Sequence, residues 1–191
     1  MPIVASFGGL SAFGFGAFPG GDFESIATVT VGSGGASSIE FTSIPSTFAH
    51  LQVRMIARTS ISGTEDTLIA QLNSDTGSNY AWHGLVGTGS AAVAAAGSSQ
   101  NHFRTFRVAG NTETASVIGA GVIDILDYAD TSKNTTVRTF GGMDGNGNGQ
   151  ATLYSGLWAS TSAVTSIKIY ANTGPNLLQH STAALFGVKA P

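Results

Sequence analysis

The 191-residue sequence predicts an all-β fold, an antiparallel β-sandwich of jelly-roll type preceded by an extended N-terminal arm. Three observations carry that expectation. About ten short runs are strand-like, the clearest of them alternating apolar and polar residues with a period of two. The segments between them are rich in Gly, Ser, Asn and Asp, as turns require. Only one stretch, SAAVAAAG (90–97), has a helical alternative, and eight residues between glycines are marginal for a helix, so a strand or loop is equally open there. Short, evenly spaced strands of this kind build sandwiches or barrels.

The elements follow in order. SIATVTV (25–31), the turn Gly32-Ser33-Gly34-Gly35 and SSIEFTSI (37–44) read as a hairpin. FAHLQVRMIAR (48–58) alternates most cleanly: Leu51, Val53, Met55 and Ala57 share one face, His50, Gln52, Arg54 and Arg58 the other. Such a strand sets one face on a core and the other toward solvent or a partner. The remaining strand candidates are 66–73, 80–86, 101–109, 115–128, 135–142, 151–160, 164–171 and 181–188.

Residues 1–22 stand apart from this pattern. The first 21 residues hold Phe7, Phe13, Phe15 and Phe18 among repeated glycines and no charge. The stretch is too glycine-rich for a stable helix and too apolar for a solvated tail. It reads as an anchoring arm, with residues 23–191 as the sandwich domain. The first basic residue is Arg54, so a signal peptide's basic region is missing, and glycines break every apolar run far below a membrane span.

Composition narrows the function. Charged residues make up 10% of the chain, which suits surfaces buried against copies or a scaffold. With a net charge of −3 and scattered cations, there is no footprint for nucleic acid. No cysteine is present, which excludes thiolate catalysis, disulfides and Cys-type zinc sites.

Four constellations bear on chemistry. Asp144, Asn146 and Asn148, followed by Gly149, match the start of an EF-hand calcium loop, but Ser155 stands where the bidentate Glu belongs. A glycine-rich hairpin tip capped by its own Asp and Asn is the simpler reading. Asp124, Asp127 and Asp130 form the one close acidic cluster. The expectation is that Asp124 pairs with Arg54, Arg104 or Arg138, while Asp127 and Asp130 close a loop. His50, His83, His102 and His180 lie far apart in sequence, as surface or interface residues or, alternatively, as a metal site across strands. Tyr80, Trp82, Tyr154 and Trp158 belong in a core or interface, or else stack on sugar rings of a host surface glycan. No nucleophile elbow or phosphate loop occurs, so neither an enzyme nor a cofactor is expected.

The segments FESIATVTVGSGGASSIEFTSIPSTFAHLQVRMIARTS, NSDTGSNYAWHGLVGTGS, GAGVIDILDY, SGLWASTSAVTSIKIY and ALFGVK resemble a group of bacteriophage virion proteins, common in cyanophages and other aquatic tailed phages. The resemblance runs from Phe23 to Lys189, and FGGLSAFGFGAF resembles the aromatic-glycine leader of such proteins. It implies a capsid decoration, head-fibre or tail-fibre protein: a β-sandwich, often trimeric, anchored by its N-terminus and without a catalytic site. The expected partners are then a second and third copy and the major capsid protein or another virion protein. The expected location is the virion, assembled in the host cytoplasm.

Overall fold

The computed structural model describes residues 22–189, which form twelve strands. They are β1 (Phe23–Thr30), β2 (Ile39–Phe41), β3 (His50–Ala57), β4 (Glu65–Leu72), β5 (Tyr80–Gly87), β6 (Ala92–Gln100), β7 (Phe103–Ala109), β8 (Gly119–Leu126), β9 (Thr135–Asp144), β10 (Gly149–Trp158), β11 (Ile167–Ala171) and β12 (Thr182–Val188). An eight-stranded sheet has the order β1-β12-β3-β8-β9-β10-β5-β6, and a four-stranded sheet the order β2-β11-β4-β7. All pairings between named strands are antiparallel. The all-β sandwich expected from the sequence is present, its strands divided eight and four. Residues 90–97, left open between helix and strand, lie mostly in β6.

One local expectation is overturned. Residues 25–31 and 37–44 do not form a hairpin: β1 pairs with β12 and β2 with β11, in different sheets. The turn at 32–35 does form, with Gly35 N–H donating to Gly32 O at 3.0 Å and Gly35 at φ 71°. The chain then runs on to the second layer, where Ala36 and Leu177 exchange backbone hydrogen bonds. A glycine-rich turn specifies a reversal of direction and not the partner beyond it. Both strands find their partners far along the chain.

The core lies between the sheets. Leu51, Val53, Met55 and Ala57 are all buried, so the alternation read from β3 holds. From the small sheet β7 brings Phe103 down on β10, Phe106 on β8 and β9, and Val108 on β8. The large sheet receives Phe106 on glycine: a Cβ at Gly121 would collide with the ring, and one at Gly141 would lie 2.8 Å from Phe106 Cγ. Absent side chains on β8 and β9 thus let the two layers close.

Candidate interaction face

A sandwich this unequal buries one face of its large sheet and leaves the other to be explained. Nothing among residues 22–189 packs over that outer face, yet it is not polar. Phe140 is 63% exposed, Leu85 55%, Leu153 49%, Ile56 43% and Leu157 38%, and all five side chains point outward there. They alternate with the buried Thr139, Tyr154, Met55 and Trp158 on the same strands, so the pleat forces them out.

Register makes all but Leu157 continuous; that residue stands in a separate row, Leu126, Thr136, Leu157 and Ala81, on the far side of a polar one. Val122 on β8 stands opposite Phe140 on β9, Phe140 opposite Leu153 on β10, Leu153 opposite Leu85 on β5, and Leu85 opposite Ala94 on β6. The neighbouring row, two residues along, reads Ile56, Ala120, Gly142, Ala151, Gly87 and Ala92. Directly opposed side chains on one sheet face touch, so these rows form one apolar surface with Phe140 as its ridge. On one side of the ridge lies a hollow of about 590 Å³ walled by Ile56, Ala120, Val122 and Ala184. Another, about 580 Å³, lies between Leu85, Ala94, Leu153 and Arg138.

The third row is polar: Gln52, Asp124, Arg138, Ser155 and His83. Arg54 Nε donates to Gln52 Oε1 at 2.7 Å, and Gln52 Nε2 donates to Asp124 Oδ1 at 2.8 Å. The Arg54 guanidinium also lies 5.1 Å from the ring centres of both Phe23 and Phe186. Asp124 stands opposite Arg138 in register, but its side-chain bond goes to Gln52 and not to Arg54, Arg104 or Arg138. Among the described residues Arg138 makes no ion pair within 4.0 Å.

The aromatic residues singled out from the sequence lie elsewhere. Tyr80, Trp82, Tyr154 and Trp158 all point inward, and even Trp82 is only 6% exposed. Trp82 meets Tyr154 edge to face at 5.8 Å, Arg104 covers its ring at 4.4 Å, and Tyr80 stacks on Trp158 at 6.4 Å. None of the four presents a ring face on which a sugar could stack. Burial pushes the pKa of the Tyr80 hydroxyl up to about 12; its oxygen accepts from Leu72 N–H, and its one proton lies within reach of the carbonyls of Leu72 and Asp75.

Asp144, Asn146 and Asn148 form the β9–β10 hairpin tip. Asn146 N–H donates to Asp144 Oδ1 at 2.8 Å, Gly145 N–H to Asn148 O at 2.7 Å, and Asn148 Nδ2 to Glu113 Oε2 at 2.8 Å. The Asp caps its own turn, as the simpler reading expected. Asp127 and Asp130 close the loop after β8: Asp130 N–H donates to Asp127 O at 2.9 Å, and Lys133 bridges both carboxylates. Asp127 N–H also donates to His50 Nδ1 at 3.0 Å. His83 sits on the outer polar row, His180 in the turn before β12, and His102 beside Asn101, its pKa lowered by burial and by Arg104. Among the described residues no three His, Asp or Glu side chains gather as metal ligands. Phe7, Phe13, Phe15 and Phe18 lie outside the described residues.

The outer aliphatic residues were not singled out from the sequence, although a signal for them was present. In β10 the face carrying Tyr154 and Trp158 alternates with one carrying Leu153 and Leu157, and a strand apolar on both faces is a strand covered on both. No protein-family model, curated protein or solved structure matches this chain.

Proposed function

We propose that this chain is a non-enzymatic structural protein of a bacteriophage virion, decorating or stabilising the capsid as a decoration protein or head fibre. Residues 1–22 attach it to the major capsid protein or another virion protein, and the sandwich self-associates. The observation that carries this reading is the apolar outer face of the eight-stranded sheet. A contiguous apolar surface of this extent marks an interaction site, and a sheet face spanning many strands suits a lasting assembly contact better than a small-molecule cleft. The low charge of the chain and its resemblance to phage virion proteins agree with it.

The test is co-sedimentation with purified virions that lack the protein. The full chain is expected to bind, and a chain lacking residues 1–20 to stay in the supernatant. Binding by the truncated chain would remove the anchor from this reading. Binding to host cells in place of virions would move the protein to receptor recognition.

A further inference from the structure

We propose that the outer face of the eight-stranded sheet is a homotypic interface, in which two copies pack face to face about a two-fold axis running parallel to the strands between β8 and β9. The inference rests on the self-association in the reading above, puts a pair in place of the expected trimer, and names the surface that performs it.

The strand order places that axis at the centre of the sheet, with β1, β12, β3 and β8 on one side and β9, β10, β5 and β6 on the other. In an isologous contact a residue on one side meets its cross-strand neighbour from the other copy. Charge is complementary next to the axis, while Arg54, opposite Val122 on β3 and at the edge of the hollow, comes over the partner's Leu153. Asp124 and Arg138 are directly opposed on β8 and β9, so each carboxylate comes over the partner's Arg138. Arg138, which has no ion pair among the described residues, thereby gains one.

Shape is complementary as well. Val122 opposes Phe140 across the same axis, so the partner's Phe140 descends on Val122. It enters the hollow of about 590 Å³ walled by Ile56, Ala120, Val122 and Ala184. Beyond it, Ala120 meets the glycine backbone of the partner's Gly142, which gives the close approach that a sheet-on-sheet contact needs. Six central strands at ~4.8 Å spacing and four side-chain rows at ~6.8 Å cover about 800 Å². That is what each partner contributes to a standard stable interface, about 800 Å² a side. Twist sets the sheets about 30° apart, so the fit is tightest at β8 and β9, where these pairs lie.

The test is sedimentation equilibrium of the full chain and two charge-reversed variants, Asp124→Arg and Arg138→Asp. The full chain is expected to sediment as a pair. Each variant alone sets like charges against each other and should weaken pairing by more than about a hundredfold, with unchanged circular dichroism. A one-to-one mixture should pair again, because the arginines at positions 124 and 138 of one chain then face the aspartates at positions 138 and 124 of the other. A monomeric full chain, a trimer indifferent to both changes, or a mixture that fails to recover would each overturn the proposal. So would pairing that appears only after residues 1–21 are removed, since the arm would then be the occupant. If either charge variant misfolds, Phe140→Glu decides: loss of pairing supports the interface, and retention overturns it. A chain that binds virions as a monomer defeats this interface alone, and one that pairs but binds no virion defeats the virion reading alone.

Discussion

The indole Nε1 of Trp158 donates to Asp75 Oδ2 at 2.7 Å, tying the last residue of β10 to the loop before β5. The same carboxylate accepts from Asn79 Nδ2 at 2.9 Å and Gly77 N–H at 2.8 Å. One buried aromatic residue thereby holds the middle of a loop whose end is already tied to β10 by the Ala159 N–H donating to Asn79 O at 2.7 Å.

An acid dependence of stability follows. The Trp158 indole first, then Asn79 and Gly77, hold the Asp75 carboxyl below the usual carboxylate range. Asp130 is held at about 2, chiefly by Ser132 and then Lys133. Folded values below the unfolded one, about 4, stabilise the protein above that pH, and the gain is lost as pH falls through the lowered values. Urea midpoints should therefore drop below about pH 4. Asp75→Asn should flatten that drop, and an unchanged slope would show that Asp75 takes no part.

Gly121 is the seat of Phe106. Gly121→Ala should destabilise by about 3 kcal/mol through overpacking, since a buried aromatic ring against backbone cannot simply move aside. Gly34→Ala, where a Cβ meets nothing within 4 Å, should cost far less. Thermal unfolding of the two variants checks the contrast.

Leu153 and Tyr154 are adjacent in sequence and on opposite faces of β10. Tyr154→Ser should cost about 3–5 kcal/mol, and Trp82→Ala the same, because each leaves a hole in the core. Leu153→Ser should change the stability of a single chain by less than about 0.5 kcal/mol while weakening self-association in sedimentation equilibrium. Equal losses for Leu153→Ser and Tyr154→Ser would mean that the outer face is as structural as the inner.

Arg58 holds the 111–118 loop without any carboxylate. Its guanidinium donates to the carbonyl oxygens of Glu113 at 2.7 Å, Thr114 at 2.8 Å, Val117 at 2.9 Å and Asn111 at 3.3 Å. A lysine offers a point charge where this planar fork is needed. Arg58→Lys should speed amide exchange across 111–118 by at least tenfold while β8 keeps its protection, as hydrogen-exchange mass spectrometry would show.

Residue pattern alone determined the class of this protein. The alternation in β3 and the turn-rich separators leave no other way to bury Leu51, Val53 and Met55, because a period of two is a property of the local backbone. The caps at Asp144 and the loop at Asp127–Asp130 were equally legible, since their partners lie within a few residues. What the sequence could not show was partnership at long range. Whether β1 would follow its turn into β2 or pair with β12 depends on surface buried far along the chain. The side chains of Leu85, Phe140 and Leu153 look like core in any single strand. Only the register of three strands places them together on a face that nothing among residues 22–189 covers, and it is the unequal division of strands into eight and four that leaves it bare.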